Sequence, residues 1–380
     1  MKVLITDIHH GNGGGHVTYV LSLLREMSNR CEFTLAAPPT GRLYQEASRI
    51  PNVRVLPGLY TSRIFTALPE IWRLRQFLKA NRFDIAHCNG GADHRHLMAA
   101  SFGLREAPAI VWTKHNTNKV DSFGHRLRAR FGTQSAIAVC EFVQRQLQQS
   151  GYARAPITVV RNGIDVSYLQ PSSRAQRTQA RQQFFGDLPD NTLVFGSIGG
   201  TDLNKGWLLL VEAVSLLAPE QRQRIRILVA GDPPNEAMKA RVRELNMEQS
   251  VTFPGLVSDV RHVLAASDVG FVLSYREAAS YASCETMAAG LPTLVSAAGG
   301  LPENVRHGVD GWVVPVGDVQ ALHAYLQQLL NDKFCLRTLG SNARQRVEQE
   351  FSLSKFAADT EVVYRRAKAQ RFKERQTTLA

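Results

Sequence analysis

Residues 2–24 read KVLITDIHHGNGGGHVTYVLSLL and contain three consecutive segments of different character. The β-branched run at residues 2–7 is typical of a buried strand, and the glycine cluster at residues 11–15 is typical of a tight turn. The apolar run that begins at Val17 is long enough for a helix. A strand, a glycine-rich turn and a helix in this order predict the first unit of a parallel sheet covered by helices.

The same alternation continues along the chain in two cycles. Short apolar runs predict strands at residues 33–37, 53–56, 84–88, 109–113, 136–139 and 157–160, and then at 193–198, 226–230, 251–253, 269–273 and 293–296. We therefore predict an α/β protein with two doubly wound, Rossmann-like domains. The predicted parts are a first domain at 1–166, a linker with an entering helix at 167–192, a second domain at 193–350 and a basic C-terminal helix with a frayed tail at 351–380.

Composition excludes several classes of protein. A chain of 380 residues with 44% hydrophobic and 21% charged residues is long enough for about two domains. Its apolar runs stay well below the roughly 18 residues of a membrane span, and its N-terminus lacks the apolar segment of a secretory signal. The five cysteines are scattered without C-x-x-C spacing, which favours reduced thiols over a disulfide framework or a zinc site. We expect a cytoplasmic protein.

The net charge of +12 is concentrated in the first half of the chain. Residues 1–170 contain 21 Lys and Arg against 11 Asp and Glu. Such a basic half predicts an anionic partner, which could be a phosphorylated ligand, an anionic membrane surface or nucleic acid. The sequence does not show the interleaved aromatic and basic residues of a nucleic-acid stacking platform, so nucleic acid is the least favoured of the three.

The strongest local pattern is residues 274–292, SYREAASYASCETMAAGLP. Glu277 follows a predicted strand, and Glu285 lies eight residues later in a helix that is predicted to begin between Ser280 and Ser283. A carboxylate in the first turn of that helix can accept two sugar hydroxyls, and the backbone amides after Glu277 can meet an anion. A solvated acidic residue that helps to cap the helix is the alternative interpretation.

This segment resembles the E-x7-E motif and the following E-A-M-A-x-G-x-P of the family-4 glycosyltransferases of the GT-B fold. Those enzymes are retaining, metal-independent and nucleotide-sugar dependent. Further matches occur in order along both domains, at residues 160–165 (VRNGID), 205–206 (KG), 251–255 (VTFPG), 266–269 (ASDV) and 299–303 (GGLPE). The resemblance implies two domains that face each other across a cleft, with the C-terminal helix returning to the first.

The resemblance also implies roles for individual residues. Glu285 would hold the ribose hydroxyls of the donor, and Lys205 would neutralise its pyrophosphate, where charge develops in the transition state. His115, Lys205 and Glu277 are the candidate catalytic residues. The candidate donor-binding residues also include Gly13, Gly14, Ala278, Ala279 and Ser280. No metal or other cofactor is expected, and the donor would be a nucleotide sugar such as a UDP-sugar or a GDP-sugar.

Two departures from the family pattern leave other functions open. Gly200 stands where the family has an arginine before its K-G, and residues 278–280 (AAS) replace a G-F-G. Another basic side chain could compensate, or turnover could be weak. A nucleotide-sugar-binding scaffold protein with little catalysis, or a GT-B-like epimerase, therefore remains as an alternative to a glycosyltransferase.

The basic first domain is the predicted acceptor-binding domain. Lys119, Arg126 and Arg128 are the candidate acceptor-binding residues, and a lipid-linked glycan or lipopolysaccharide core is the expected acceptor. Apolar and basic residues also interleave over residues 63–79, where an amphipathic helix is predicted at 71–80 and Pro69 is expected to interrupt the pattern. This stretch could lie peripherally on anionic lipid headgroups at the inner face of a membrane. An ordinary helix packed on the sheet is the alternative.

Overall fold

The computed structural model describes residues 1–11, 14–61, 63–331 and 335–379. The chain divides into two compact units. Unit 1 contains Met1–Gly163 together with the residues from Leu353 onward, and unit 2 contains Ile164–Ser352. Ile164 forms a bridge to Ser352, so the chain enters and leaves unit 2 through two adjacent residues.

Unit 1 alternates strands and helices from its first residues. Its strands are β1 (Lys2–Thr6), β2 (Glu32–Ala37), β3 (Val53–Pro57), β4 (Ile85–Cys88), β5 (Ala109–Lys114), β6 (Ser135–Ala138) and β7 (Ile157–Val159). Its helices are α1 (Gly15–Met27), α2 (Arg42–Ala47), α3 (Ile64–Asn81), α4 (Gly91–Ser101), α5 (Phe123–Phe131) and α6 (Glu141–Gln148), with a 3-10 turn at Gly151–Arg154.

The strands of unit 1 form one parallel sheet in the order β3-β2-β1-β4-β5-β6-β7. Val3, Leu4 and Ile5 of β1 are fully buried in the middle of this sheet, as expected of a strand covered by helices on both faces. The order reverses at β1, so the loops after β1 and β4 diverge and leave a crevice at the carboxyl edge.

Unit 2 repeats the arrangement. Its strands are β8 (Leu193–Ser197), β9 (Ile225–Ala230), β10 (Val251–Gly255), β11 (Val269–Val272), β12 (Thr293–Ser296) and β13 (Gly311–Val314). Its helices are α7 (Arg174–Phe185), α8 (Trp207–Ser215), α9 (Pro219–Arg222), α10 (Glu236–Glu244), α11 (Val260–Ala266), α12 (Tyr281–Ala288), α13 (Leu301–Asn304), α14 (Val319–Asn331) and α15 (Cys335–Glu350), with a 3-10 turn at Leu203–Lys205.

The sheet of unit 2 is also parallel, in the order β10-β9-β8-β11-β12-β13. Phe195, Trp207 and Phe271 are buried in its core. With β8 in the switch position that β1 has in unit 1, the loops after β8 and β11 flank the crevice of this sheet. The prediction of two doubly wound α/β sheets is confirmed.

The last helix, α16 (Leu353–Leu379), belongs to unit 1 although it follows unit 2 in the sequence. It packs on α1 and on β4, β5 and β6. Its Tyr364 is fully buried, and the hydroxyl lies 2.6 Å from Nδ1 of His87 on β4. This polar contact ties the end of the chain to the centre of the first sheet.

The start of α3 differs from the sequence prediction. Helix α3 begins at Ile64 and passes through Pro69. Pro69 lies close to the start of α3, and the carbonyl that loses its N–H partner is that of Phe65, a residue 91% exposed and therefore able to bond water. Residues 167–192, predicted as a linker with an entering helix, contain α7, which packs on α11 within unit 2.

The described residues include all five cysteines and the helices of both units. Cys31, Cys88, Cys140 and Cys284 are buried, Cys335 is partly buried, and no disulfide joins these five described cysteines. Among the helices of the described chain, none combines the length and the apolar character that crossing a membrane requires.

Candidate active site

Lys205 lies in the loop after β8, and Asn204 fixes its position. The Asn204 carbonyl accepts a hydrogen bond from the Tyr275 amide at 2.8 Å, and the Asn204 side chain bonds both the amide (3.1 Å) and the carbonyl (2.8 Å) of Arg276. These three bonds join the loop after β8 to the loop after β11. Lys205 is therefore held next to Glu277, although 72 residues separate them in sequence.

Gly206 allows this close approach because it has no side chain. Its φ is +64°, in the left-handed region, and a Cβ there would lie 2.0 Å from the carbonyl oxygen of Leu273. Only glycine combines that backbone conformation with that contact. The K-G pair of the sequence pattern thus has a structural reason: Gly206 seats the loop against β11, and Lys205 emerges beside Glu277.

The two side chains form an ion pair. Lys205 Nζ lies 3.0 Å from Glu277 Oε2, and both side chains are mostly buried, with 30% and 16% exposure. An ammonium held near the carboxyl edge of the sheet is suited to a phosphate oxygen, since it delivers a compact point charge. A ligand phosphate would have to share the ammonium with Glu277.

The N-terminus of α12 follows directly. Ser280 is its N-cap, and its Oγ accepts a hydrogen bond from the Ser283 amide at 3.2 Å. Ala278 and Ser280 are buried, and Ala279 is partly exposed. The positive end of the α12 dipole and the amides of its first turn thus lie in the chain segment that begins with Glu277.

Glu285 lies on the second turn of α12 and is partly exposed. Desolvation by burial raises the pKa of its carboxyl from 4.5 to about 7. A carboxylate held in such apolar surroundings gains most from neutral hydrogen-bond donors that reach it, because they replace the lost hydration. The hydroxyls of a sugar are donors of this kind.

Gly200, which stands in place of the expected arginine, has a φ of +89°. Its amide donates to the carbonyl of Ala230 at 3.2 Å, and Gly231 approaches so closely that a Cβ there would lie 2.5 Å from the Gly200 Cα. This turn therefore has a backbone conformation that an arginine would adopt only with strain. Residue 200 therefore differs from the family pattern in its backbone conformation as well as in the missing positive charge.

Unit 1 has a pocket of about 460 Å³ at the carboxyl edge of its sheet. It is lined by residues that follow β1, β4 and β5, three adjacent strands, and by α5. The polar lining residues include His9, His16, Asn89, Arg95, Lys114, His115, Lys119, His125 and Arg128. With four cations and several imidazoles among them, this lining favours an anionic or hydroxyl-rich ligand.

His115 is held in one tautomer by Asn89. The Asn89 Nδ2 donates to the Thr6 carbonyl at 3.2 Å, which turns Oδ1 towards His115 Nε2 at 3.0 Å. Nε2 must therefore carry the hydrogen, and Nδ1 is the acceptor. Burial and the neighbouring imidazoles hold the pKa of His115 well below 6.5, so the ring is neutral at pH 7.

Two carboxylates lie behind this pocket. Asp7 and Asp93 are fully buried, and burial together with Asp7 raises the pKa of Asp93 to about 6. His9 Nδ1 lies 2.7 Å from Asp7 Oδ1, and that hydrogen bond raises the pKa of His9. By contrast, desolvation lowers the pKa of His16 to about 4.

The predicted acceptor-binding residues differ in their placement. Lys119 and Arg128 line the pocket, whereas Arg126 is exposed on α5 and is not among its lining residues. Arg128 is 5% exposed, and its Nη2 lies 2.9 Å from His125 Nδ1. Lys114, which sequence analysis did not single out, also lines the pocket, and burial lowers its pKa to about 8.

Gly13 and Gly14, the two glycines predicted to bind the donor, follow β1. Gly14 is the N-cap of α1, with a φ of 112° and an exposed backbone. Gly13 lies outside the described residues. The donor-site prediction for Gly14 stays a prediction.

Four further polar residues at this edge were not predicted from the sequence: Asn89, Asp7, His9 and His16. Each lies at or shortly after the carboxyl end of β1 or β4, or at the start of α1. Their positions in the sequence could have predicted them, since polar residues that follow adjacent parallel strands meet at one edge of a sheet.

Comparison with known sequences gives two family matches that together span most of the chain. Residues 13–168 match the family described as Glycosyltransferase Family 4. Residues 178–346 match the family described as Glycosyl transferases group 1. The first match covers most of unit 1, and the second covers most of unit 2.

Individual relatives and solved structures agree with these matches. The chain is 26% identical to D-inositol 3-phosphate glycosyltransferase of Corynebacterium aurimucosum, over 93% of this chain and 91% of the relative. It is 33% identical to N-acetyl-alpha-D-glucosaminyl L-malate synthase of Bacillus anthracis, over 37% of each chain. The crystal structure of Anabaena HepE in complex with UDP and glucose has a similar fold, with a TM-score of 0.79, 22% identity, and coverage of 96% of this chain and 99% of that one.

Proposed function

Because this chain belongs to the family-4 glycosyltransferases of the GT-B fold, we propose that it is a retaining enzyme that transfers a sugar from a nucleotide sugar to a glycan acceptor. Unit 2 binds the donor, and the pocket of unit 1 binds the acceptor. The observation that carries the proposal is the Lys205–Glu277 ion pair. Glu277 begins the chain segment that leads into α12, where Glu285 lies.

The donor fits the groups of unit 2 in order along that segment. Lys205 neutralises the diphosphate, and the amides at residues 278–280, together with the N-terminus of α12, bind a phosphate or sugar oxygen. Glu285 accepts hydrogen bonds from the two ribose hydroxyls. Relatives support this assignment, since the HepE structure contains UDP and glucose.

The chemical step follows from what these groups can stabilise. An acceptor hydroxyl oxygen bonds to the anomeric carbon while the bond from that carbon to the β-phosphate oxygen breaks. The hydroxyl proton goes to the departing phosphate, so the products are the glycosylated acceptor and a nucleoside diphosphate. Lys205 offsets the charge that develops on the phosphate, which is worth more in a site shielded from water. The neutral His115 accepts a hydrogen bond through Nδ1 and orients a substrate hydroxyl.

The acceptor is a lipid-linked glycan or lipopolysaccharide core presented at an anionic membrane surface. Phe65, Leu68 and Trp72 on α3 are 91%, 61% and 62% exposed, and their spacing of three and four residues places them on one face of the helix. Exposed Arg63 and Arg73 lie on the same helix or at its start. An apolar face with basic neighbours binds anionic headgroups.

Calorimetry tests the donor assignment first. The purified chain is titrated with UDP, GDP, ADP and CMP, and with the sugar conjugate of whichever nucleotide binds. We expect one nucleoside diphosphate to bind, and Glu285→Ala to abolish that binding. Failure of all four nucleotides to bind would overturn the donor assignment.

Product analysis tests the reaction itself. With the donor identified, NMR of the product formed on a model acceptor is expected to show the anomeric configuration of the donor. An inverted product contradicts the retaining assignment. Nucleotide-sugar binding without transfer to any acceptor favours the scaffold alternative, and acceptor-independent interconversion of sugars favours the epimerase.

Vesicle co-sedimentation tests the membrane assignment. The chain is expected to bind vesicles that contain phosphatidylglycerol and not pure phosphatidylcholine vesicles, and Phe65→Ser with Trp72→Ser should remove that binding. Leu256→Ser is the matched control, because Leu256 is 77% exposed on unit 2. Equal binding by the α3 variant and the control would contradict the assignment.

A further inference from the structure

Asp7, His9 and His16 form a compact cluster, called here the Asp7 cluster, at the carboxyl end of β1 and the start of α1. Each offers one metal-ligating atom, and these three atoms lie within 4.8 Å of one another. The cluster is built by the fold, since β1 places Asp7 at the sheet edge and α1 brings His16 back over it.

Two atoms of this cluster lack the partners that buried polar groups normally have. Asp7 is fully buried, and Oδ1 accepts the His9 amide at 2.8 Å and faces His9 Nδ1 at 2.7 Å. Within the part of the chain that the structure describes, Asp7 Oδ2 and His16 Nδ1 are buried without a hydrogen-bond partner. Such an atom is costly unless something occupies the space beside it, and most buried polar atoms in folded proteins are satisfied.

A second buried carboxyl group, that of Asp93, lies near the cluster. Asp93 is fully buried, receives hydrogen bonds on Oδ2 from Thr6 Oγ1 and from the amides of Asn89 and Gly90, and has a buried Oδ1 without a partner among the described residues. Asp7 and Asp93 therefore place two carboxyl groups in a region of low dielectric. A cation bound at Asp7 would add to the compensation that His9 gives this carboxylate.

We propose that Asp7, His9 and His16 bind one divalent transition-metal ion of the zinc class. One carboxylate oxygen and two imidazole nitrogens are the donor set that zinc accepts when three protein ligands leave a fourth position open. Calcium and magnesium prefer sites made of oxygen ligands, so this donor set selects against them. Bonds of about 2.0–2.2 Å to a tetrahedral ion require ligand atoms about 3.3–3.6 Å apart, and the three atoms here lie within 4.8 Å of one another.

The fourth position faces the pocket of unit 1. His9 and His16 both line that pocket, whereas Asp7 lies behind them. The His16 ring centroid is 4.1 Å from that of His115, so the ion would be close to the candidate catalytic histidine. An anionic oxygen, such as that of a carboxylate or a phosphate, is the ligand that the open position would take. The binding of the ion does not depend on glycosyl transfer.

Metal titration of the full chain tests the proposal. The protein is stripped with a chelator and dialysed, and Zn²⁺ binding is measured by calorimetry. Co²⁺ is added separately as a spectroscopic probe, because its visible absorption reports the coordination geometry. We expect one equivalent of Zn²⁺ to bind, a tetrahedral Co²⁺ spectrum, and no binding of Mg²⁺ under the same conditions.

Three variants locate the site. His16→Gln and Asp7→Asn should each weaken Zn²⁺ binding at least about 100-fold, since even the loss of an outer-shell partner costs 10–100-fold. Asp7→Asn retains an oxygen that can accept the His9 amide. His10→Gln is the matched control, because His10 is exposed and is not part of the cluster.

Each outcome decides for or against the site. Unchanged Zn²⁺ affinity in His16→Gln, or equal loss in His10→Gln, would show binding at other surface groups and overturn the proposal. If Asp7→Asn fails to fold by circular dichroism, His16→Gln alone decides, because His16 is partly exposed at the start of α1. Absence of one-equivalent binding in the unaltered chain also overturns it, whatever the result of the nucleotide titrations.

Discussion

Lys205 Nζ lies 3.0 Å from Glu277 Oε2, so the cation that we assign to the diphosphate already has a carboxylate partner in the ligand-free chain. Truncation of either partner of a mostly buried ion pair leaves the other charge poorly compensated. A phosphate that binds Lys205 must therefore compete with Glu277 for the ammonium. Its value lies in orientation, since Asn204 and Gly206 hold the ammonium in place before the substrate arrives.

Lys205→Ala should depress turnover far more than nucleotide binding. We expect kcat to fall about 10²–10³-fold, the usual cost of removing one preorganised group that stabilises developing charge. The Kd for the nucleoside diphosphate should rise by less than that. Calorimetry and steady-state kinetics on the same preparation check the two values.

Lys239→Ala is the control for that experiment, because the Lys239 side chain is 42% exposed on α10 and forms an ion pair with Glu236. Its kcat should match that of the unaltered chain. A loss of kcat in Lys205→Ala no larger than in Lys239→Ala would remove Lys205 from the catalytic assignment.

Glu285 should make the ligand-free chain less stable as pH rises. Its folded-state pKa of about 7 exceeds its usual value of 4.5, so the folded chain binds more protons than the unfolded chain between these values. Stability is then lost as pH rises from about 4.5 to 7, by at most roughly 3 kcal/mol. Glu285→Gln should unfold at nearly the same temperature as the unaltered chain at pH 4 and at a higher temperature at pH 8.

Thermal unfolding measured between these two pH values checks the effect. Glu244→Gln is the control, because Glu244 is exposed on α10. If Glu285→Gln and Glu244→Gln show the same pH dependence, burial of Glu285 does not control the stability of unit 2.

Nucleotide affinity should change with pH in the opposite direction. The ionised carboxylate of Glu285 can accept both ribose hydroxyls, and the protonated form has less acceptor capacity. We expect nucleotide affinity to increase as pH rises through about 7. Calorimetry at pH 6, 7 and 8 should show this trend in the unaltered chain, and a flat profile in Glu285→Gln would assign it to this carboxyl.

The alternation of apolar runs predicted most of the fold, because buried parallel strands leave a clear hydrophobic signal. It missed α4, whose Asp93, His94 and His96 are buried polar residues that break the apolar period. It also missed β13, where the short run GWVV follows glycine and polar residues. In both places tertiary contacts determine the structure, and a local pattern does not contain them.

The sequence could predict individual residues of the candidate site but not how they are arranged in space. The sequence pattern identified Lys205, Glu277 and Glu285, yet the hydrogen bonds of Asn204 that bring the first two together join segments 72 residues apart. The role of Asn89 could not be predicted either, because its partners, the carbonyl of Thr6 and the ring of His115, are distant in sequence. Such contacts depend on strand order, which the sequence does not state.

Asn89→Asp should add a pH dependence to the one that Glu285 gives the unaltered enzyme. In the unaltered chain His115 is neutral throughout pH 6–8, because its pKa lies well below 6.5. A carboxylate 3.0 Å from Nε2 would stabilise the imidazolium and raise that pKa. As pH decreases from 8 to 6, the kcat/KM of Asn89→Asp should therefore fall more steeply than that of the unaltered chain.

The pH–rate profile of this variant is compared with that of Asn52→Asp. Asn52 is exposed and far in sequence from the pocket residues, and its left-handed backbone is one that Asp also tolerates. Parallel profiles for the two variants would mean that Asn89 does not set the protonation of His115.

Gly206→Ala should destabilise unit 2 and also reduce turnover, because one methyl group cannot fit at this position. The left-handed φ of +64° costs about 1–2 kcal/mol for a residue with a Cβ, and the Cβ would lie 2.0 Å from the Leu273 carbonyl oxygen. The loop must then move away from β11, and Lys205 moves with it. Gly199→Ala is the control, since a Cβ there would make only ordinary contacts of 3.5 Å and 3.8 Å. Thermal unfolding should show a large decrease for Gly206→Ala and a small change for Gly199→Ala, and equal shifts would contradict the close approach of Gly206 to β11.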